Sequence, residues 1–149
     1  MAKVAANHIP LSPISFLERS EVVFENSPAV IYGETTRTYK QLGERSRKLA
    51  SALQRHGIQK GDTVSVVLQN TPEMVEVAYG VPMTGGVLNT INTRLDANTI
   101  AYILEHAETK VLLTDAEFAS VVSKALTLLR ERGAKAPLVV DVVDLETAE

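Results

Sequence analysis

The chain has 149 residues, enough for one domain that buries roughly 70% of the surface exposed by its unfolded form. Hydrophobic residues make up 45% and charged residues 22% of the sequence, which is typical of a globular protein. The net charge of −3 comes without a basic patch or an acidic tail, so we expect neither nucleic acid nor an anionic membrane surface as an electrostatic partner. Cysteine is absent, which excludes disulfides, thiolate metal sites and cysteine nucleophiles.

The sequence shows no secretory or membrane-spanning segment. Its start, MAKVAANHIP, lacks the apolar run that a secretory signal needs. The longest apolar runs, such as residues 138–140, are strand-sized and far below the ~20 residues that span a bilayer. We therefore expect a cytoplasmic protein, with organellar targeting by sequence beyond residue 149 as the open alternative.

A helix and a β-hairpin are predicted at the start of the chain. Ser12-Pro13 supplies an N-cap followed by proline at the first helical position, so a helix is expected from there to about Asn26. Residues 29–32 and 37–39 then resemble two strands joined by a turn at 33–36.

A second helix is predicted from about Tyr39. Small and apolar residues recur on one stripe of it, at Leu42, Ser46, Leu49, Ala50 and Leu53. Gly57 lies where a left-handed residue would end this helix.

From Thr63 onward the sequence alternates between strands and helices in the order β-α-β-α-β-α-β. Strands are predicted at 63–69, 87–91, 110–114 and 138–142. Helices are predicted from Thr71, Asp96 and about Phe118, the first with an apolar side at Met74, Val75, Ala78 and Val81. Such alternation indicates parallel strands with right-handed crossovers and helices on both faces.

The predicted fold is therefore α/β: a partial doubly wound parallel sheet preceded by a helix and a β-hairpin. We divide the chain into an entry segment at 1–62, a parallel subdomain at 63–142 and a polar tail at 143–149 that is expected to fray.

The three histidines are candidate ligands or catalysts, but they lie far apart in the sequence. His56 and His106 each fall in the last turn of a predicted helix, where a positive charge interacts well with the helix dipole. Neither they nor His8 have a carboxylate or a second histidine at metal-ligand spacing. We therefore prefer structural roles for all three.

Gly85-Gly86 is a candidate phosphate cradle of poor quality. The pair connects a helix to a strand, whereas a phosphate loop runs from a strand to a helix. Neither GxGxxG nor GxxxxGK[ST] is present. We interpret the two glycines as a helix stop with close packing.

Asp62 and Asp96 are interpreted as turn and cap residues. Asp115 follows a predicted strand, at the edge where α/β sheets bind ligands. It could contact a ligand or cap a helix that begins at Ala116, and the cap is preferred. No serine lies in a GxSxG elbow.

The segment NTINTRL carries three polar candidates, Asn89, Asn92 and Arg94. They could contact a ligand or anchor the loop. Because asparagine in turns bonds to its own local backbone, loop anchoring is the preferred interpretation.

Several short motifs, in an unbroken order, resemble the AMP-forming acyl-CoA synthetases. Residues 37–42, RTYKQL, resemble the family's first core motif, although Gln41 stands where the family usually has glutamate. HGIQKGDTV at 56–64, LQNTPE at 68–73 and MTGGVLN at 83–89 follow in the family's order. The continuation, NTINTRLDANTIAYILEHAE, is most similar to the medium- and long-chain fatty acyl-CoA synthetase branch, including its plant relatives.

The resemblance implies a two-step ligase that acts on a carboxylic (fatty) acid, ATP and CoA with Mg²⁺. The acid and ATP form an acyl-adenylate and pyrophosphate, and the thiol of CoA then displaces AMP. The family performs this chemistry with a Ser/Thr/Gly-rich loop ending in Pro-Lys-Gly, a Tyr-Gly-x-Thr-Glu motif, a ribose-binding aspartate and a lysine in a C-terminal domain. None of the four occurs in residues 1–149. We therefore assign no catalytic, cofactor-binding or metal-binding residue and expect no cofactor bound by these residues alone.

The resemblance also implies that these residues are the N-terminal part of the large domain of such an enzyme, inactive by themselves. Apolar faces that the remainder would cover should then make the isolated chain self-associate. The alternative is a free-standing α/β binding module without catalysis.

Overall fold

The structure, a computed structural model, describes residues 11–143; His8 and the residues from 144 onward lie outside that range. The elements in chain order are α1 (Pro13–Val23), β1 (Pro28–Tyr32), β2 (Thr35–Thr38), α2 (Tyr39–Arg55), β3 (Thr63–Val67), α3 (Pro72–Met83), β4 (Val87–Thr90), α4 (Ala97–His106), β5 (Val111–Asp115), a 3₁₀ turn (Ala116–Phe118), α5 (Ala119–Glu131) and β6 (Leu138–Val142).

The strands form two separate sheets. β1 and β2 pair antiparallel as an isolated hairpin, and the other four strands form a parallel sheet in the order β4-β3-β5-β6. The predicted α/β class and the β-α-β-α-β-α-β order from Thr63 are confirmed.

Each face of the parallel sheet has its own hydrophobic core. Val111 and Leu113 of β5 pack with residues of α2 and α3, while Leu112 between them packs with α4 and α5. This alternation follows from the pleat of a strand, which sends successive side chains to opposite faces. Burial of one such side chain contributes about 1.5–3 kcal/mol, so both faces contribute strongly to stability.

Reciprocal hydrogen bonds cap the two helices of the entry segment. At α2 the backbone N–H of Gln41 donates to the Thr38 hydroxyl, and the backbone N–H of Thr38 donates to the side-chain oxygen of Gln41 at 2.9 Å. Ser12 and Ser15 make the same arrangement at α1. Because a capping box accepts either glutamate or glutamine at this position, Gln41 keeps the local structure of the family motif.

Three predicted boundaries in the entry segment are wrong. α1 ends at Val23 because the backbone of Phe24 is no longer helical, with φ −124° and ψ 32°. The hairpin turn is two residues long, since Thr35 and Thr36 already pair with β1. Tyr39 is the first residue of α2 instead of the last residue of a strand, because Thr38 caps the helix.

The predicted buried side of α3 is also partly wrong. Ala78 is exposed, whereas the neighbouring Val77 is buried. The cause is that α3 packs against α2 as well as against the sheet, which turns Glu76 and Gly80 inward. Thr71 precedes the helix as predicted, but its side chain makes no capping bond to the backbone.

The strand ends shift by one or two residues from the predictions. β3 ends at Val67 and β4 at Thr90, while β5 begins at Val111 and includes Asp115. β6 has the predicted bounds. The entry segment and the parallel subdomain share one core, in which Leu53 of α2 packs with Val64 of β3.

Candidate functional site

The carboxyl edge of the parallel sheet is the candidate ligand edge. β3 and β5 are neighbours, but the chain leaves β3 towards β4 and leaves β5 towards β6, in opposite directions across the sheet. Open α/β sheets bind ligands in the crevice outside such a switch point. The segments at this place are residues 68–71 after β3 and residues 116–118 after β5.

One side-chain hydrogen bond spans the switch point. The Gln69 amide donates to the Glu117 carboxylate, with Nε2 and Oε2 3.0 Å apart. Asp115 is buried, and its Oδ1 accepts the Glu117 N–H at 2.9 Å, so it caps the 3₁₀ turn. The preferred role of Asp115 as a cap is therefore confirmed.

The loop after β4 is held by its own asparagine. Asn92 Oδ1 accepts the Arg94 N–H at 2.9 Å, which confirms loop anchoring, and the Arg94 side chain is exposed. Asn89 serves a different purpose: its amide donates to the Ser65 hydroxyl at 2.9 Å. That hydroxyl also bonds Thr109 Oγ1 at 2.7 Å, which completes a polar chain inside the sheet.

A cleft of about 370 Å³ lies between β1 and the start of α3, beside the carboxyl end of β3. Its wall is mostly apolar and includes Val30, Ile31 and Met74. Asn70 and Thr71 add polar groups. The cleft therefore combines an apolar wall with polar groups from the β3–α3 loop at the ligand edge of the sheet.

Four charged side chains, here called the ion-pair cluster, fasten the hairpin to α2 and α3. The Glu76 carboxylate accepts hydrogen bonds from Arg37 of β2 and Arg45 of α2, and its side chain is only 8% exposed. Arg37 Nη2 also lies 2.9 Å from Glu73 Oε1. Two positive and two negative charges thus balance where the hairpin meets the helices, and they fix β1 as one wall of the cleft.

The electrostatics of the ion-pair cluster favour its charged state. Burial acts to raise the pKa of Glu73, but the hydrogen bond from Arg37 and further hydrogen bonds outweigh burial, so the pKa lies below its usual value. The hydrogen bond to Glu76 raises the pKa of Arg45. Both shifts favour the charged forms of Glu73 and Arg45.

The two described histidines have the structural placements predicted for them. His56 is the C-cap of α2, and His106 is the last residue of α4, where its ring stacks on Tyr102 with centroids 5.6 Å apart.

The remaining acidic candidates are also local structural residues. Asp62 accepts the Gln59 N–H at 2.8 Å and pairs with Lys110 at 2.7 Å; the hydrogen bond from Lys110 lowers its pKa. Asp96 caps α4 and accepts from Asn98 N and Thr99 N. Their predicted turn and cap roles are confirmed.

Gly85 and Gly86 stop α3 and allow close packing, as predicted. Gly85 has φ +79°, directly after the C-cap Thr84. A Cβ at Gly86 would lie 2.8 Å from Thr84 Oγ1 and 3.1 Å from the carbonyl oxygen of Asp62. Any larger residue there would push the helix end away from the turn before β3.

Residues 11–143 form no all-protein cage for Mg²⁺, because they contain no group of three or more His, Cys, Asp or Glu side chains arranged to hold a metal ion. The carboxyl edge offers an amide–carboxylate pair, an aspartate already used as a cap and an exposed arginine. These groups can form the border of a neighbouring site and orient what binds there, and we derive no chemical step from them.

Two features of the site escaped the sequence analysis. Gln69 and Glu117 are 48 residues apart and Arg37 and Glu76 are 39 apart, so no local period links them. Glu76 lies on a buried side of α3 because α2 packs there, so the sequence of α3 alone gave no signal for the cluster. Within the described part of the chain, no helix is long and apolar enough to cross a membrane.

A family model described as AMP-binding enzyme matches residues 17–149. The peroxisomal butyrate–CoA ligase AAE11 of Arabidopsis thaliana is 48% identical over 124 residues, which are 83% of this chain and 22% of that protein. The peroxisomal trans-cinnamate:CoA ligase of Petunia hybrida is 45% identical over 129 residues, 87% of this chain and 23% of that protein. The chain thus spans less than a quarter of the length of these two relatives.

A solved structure, the fatty acyl CoA synthetase of Mycobacterium tuberculosis, superimposes with a TM-score of 0.73 at 28% identity. The match covers 87% of this chain and 26% of the other. The family match includes α2, the hairpin and the entire parallel sheet, that is, every element that forms the candidate edge. The two relatives described above are CoA ligases, and the chain belongs to the AMP-binding enzyme family.

Proposed function

We propose that these residues form the N-terminal part of the large domain of an AMP-forming acyl-CoA synthetase. In the complete protein a carboxylic acid, ATP and CoA yield acyl-CoA, AMP and pyrophosphate through an acyl-adenylate. The observation that supports this proposal is the family match over residues 17–149 together with CoA ligases as relatives. The role of this part is to build and fix one wall beside the reaction site.

Two structural observations support a wall role. The ion-pair cluster immobilises the hairpin against α2 and α3, and the Gln69–Glu117 bond links the loops after β3 and β5. Rigid supporting elements of this kind hold a site in its productive geometry. By contrast, the four motifs with which the family is implied to perform its chemistry do not occur in residues 1–149, so we propose no adenylating activity for the isolated chain.

A hybrid ligase tests this function. The matching residues of the Arabidopsis butyrate–CoA ligase are replaced by this chain, and butyrate-dependent release of AMP is measured with ATP and CoA present. We expect a folded, active hybrid, and no carboxylate-dependent ATP–pyrophosphate exchange by the isolated 149-residue chain. A hybrid that is folded but inactive, or exchange by the isolated chain, would contradict the proposal.

One observation favours the alternative, a free-standing binding module. Within residues 11–143, every buried side-chain N or O atom has a hydrogen-bond partner, and each face of the sheet has a hydrophobic core. Such a unit is expected to fold alone. The module function requires a sharp monomer in size-exclusion chromatography, whereas the wall function predicts self-association of the isolated chain.

The substrate and the compartment belong to the same proposal. The two relatives act on butyrate and trans-cinnamate by name, so we propose a small or medium-chain carboxylic acid as the substrate class. Both relatives are named peroxisomal, so we propose the peroxisome as the alternative to the predicted cytoplasmic location. Fluorescence of the complete protein tagged at its N-terminus distinguishes the two compartments.

A further inference from the structure

The loop between β3 and α3 is held on both sides of Asn70. On one side, the Gln69 amide donates to the Glu117 carboxylate at 3.0 Å, which ties the loop to the segment after β5. On the other side, Thr71 is only 4% exposed, and its backbone N–H donates to the Gln69 carbonyl at 2.9 Å. The loop therefore makes a tight three-residue turn with Asn70 at its apex.

Thr71 departs from the usual behaviour of a residue that precedes a helix. It occupies the N-cap position of α3, but its side chain accepts no hydrogen bond from the first turn. Its hydroxyl instead hydrogen-bonds the Glu73 carboxylate, which also pairs with Arg37 of the hairpin at 2.9 Å. Departures from local capping rules are expected where a site needs a particular geometry. The loop is thereby tied to the hairpin as well as to the segment after β5.

The Asn70 side chain differs from its neighbours at the candidate edge. It is exposed, lines the cleft beside β1 and has no hydrogen-bond partner among residues 11–143. Other polar groups of the edge are used locally, since Asp115 caps the 3₁₀ turn and Asn92 accepts a backbone N–H of its own loop. The fold thus fixes the backbone of Asn70 and leaves its amide available.

An amide held in this way is suited to recognise a substrate. The side chain of asparagine offers two N–H donors and one oxygen acceptor. A binding group is most effective when its surroundings hold it in place before the ligand arrives, because less freedom is then lost on binding. A loop tied on both sides, at the carboxyl edge of a parallel sheet, meets this condition.

We propose that Asn70 is a substrate-binding residue of the ligase, and that Thr71 is the positioning residue that holds it through the bond to Glu73. The Asn70 amide donates to an oxygen atom of a carboxylate or phosphate group. The carboxylic acid, ATP and CoA each carry such an oxygen, so the experiment must distinguish the three. This inference rests on the proposed function.

Steady-state kinetics of the hybrid ligase tests the binding role. Butyrate, ATP and CoA are varied in turn, with the other two held at saturation. Asn70→Ala should raise the KM of one substrate about 3- to 10-fold, the effect of one lost hydrogen bond, and leave kcat nearly unchanged. The substrate whose KM rises is the one that Asn70 contacts.

The matched control is Asn26→Ala, which removes an exposed asparagine from the turn between α1 and β1. It should leave all three KM values unchanged. If the three KM values of Asn70→Ala also stay within about twofold of those of the unsubstituted hybrid, the proposal is overturned.

The positioning role of Thr71 has its own pair of variants. Thr71→Val removes the hydroxyl and keeps the size of the side chain, so the same KM should rise about 2- to 5-fold. Thr71→Ser keeps the hydroxyl and should have the KM of the unsubstituted hybrid. A role in stability alone would lower the amount of folded enzyme, which changes the apparent kcat but no KM. Equal KM values in Thr71→Val and Thr71→Ser overturn the positioning role.

Hydrogen exchange provides a readout that does not depend on catalysis. In the isolated chain, the protection factor of the amide at position 71 should fall at least about 10-fold in Thr71→Val, while the amides of β5 keep their protection. An unchanged protection factor at position 71 would mean that the hydroxyl does not hold the loop, and it overturns the positioning role.

The proposed function and this inference fail separately. A hybrid that is folded but inactive contradicts the function, and calorimetric titration with butyrate, ATP and CoA then gives their dissociation constants. Weaker binding of one of them in Asn70→Ala keeps the inference. Unchanged affinities, or no binding of any of the three, overturn it.

Discussion

Gly80 lies where α3 crosses α2, and its replacement by alanine tests how closely the two helices pack. A Cβ at position 80 would lie 2.9 Å from the Leu49 Cδ2 atom and 2.9 Å from the carbonyl oxygen of Ser46. Leu49 can rotate away, but the Ser46 carbonyl is backbone and moves only with α2. The helices must therefore separate by a few tenths of an ångström.

Two opposing effects set the expected magnitude of Gly80→Ala. Alanine is more favourable than glycine inside a helix by about 1 kcal/mol. Overpacking of a well-filled core costs about 1–3 kcal/mol. Because the obstacle is backbone, we expect the upper part of that range, and a net loss of about 1–2 kcal/mol in the free energy of unfolding.

The assay is urea unfolding of the isolated chain, followed by circular dichroism. Gly43→Ala in α2 is the matched control, since the atoms nearest to its Cβ would be those of the Glu21 carboxylate, the far end of a flexible side chain. The control should be neutral or slightly stabilising. If Gly80→Ala is as stable as the wild-type protein or more stable, the close approach of α2 and α3 does not limit packing and the reasoning is refuted.

Two further predictions concern the ion-pair cluster. Glu76→Gln should lower the free energy of unfolding by about 2–3 kcal/mol, less than the loss of a fully isolated buried partner because Arg37 keeps Glu73. Glu25→Gln in the exposed pair with Lys40 is the control and should have a much smaller effect, so equal effects of the two substitutions would contradict the role of burial. Since the pKa of Glu73 is lower in the folded than in the unfolded protein, its contribution is complete above the unfolded pKa of about 4.3 and is lost as the pH falls through the folded pKa. Stability measured from pH 6 to 3 should therefore fall less steeply in Glu73→Gln, and an unchanged slope would show that Glu73 does not contribute.

The parallel sheet could be predicted because its signals are local. Each strand is a short apolar run bounded by turn residues. Asp96 marks the start of one helix, and Gly57 and Gly85 mark the ends of two others, each within a few residues of the apolar pattern of its helix. Such signals depend on backbone geometry and capping, which the nearby sequence determines.

The remaining features depend on contacts between distant segments. Val77, not Ala78, is buried because α2 lies against α3, and the sequence of α3 alone does not reveal this neighbour. Likewise, the bond between Gln69 and Glu117 exists only because β3 and β5 are adjacent. The sequence therefore predicted where the candidate edge lies, because Asp115 follows a predicted strand, but it did not predict the side chains of Gln69 and Glu117 that span this edge.

The strand order has a consequence for synthesis of the protein on the ribosome. β3 is the central strand, yet its partner β5 follows it by about 50 residues, since Val64 pairs with Val111. At about 5–20 residues per second, the ribosome needs roughly 2–10 s to complete β5 after β3. Until α5 has also been synthesised, Val67 and Ile91, which are buried against α4 and α5 in the folded protein, lack the partners that α5 supplies. The nascent chain therefore exposes half of its apolar sheet for seconds, and this is the period in which a chaperone would protect it.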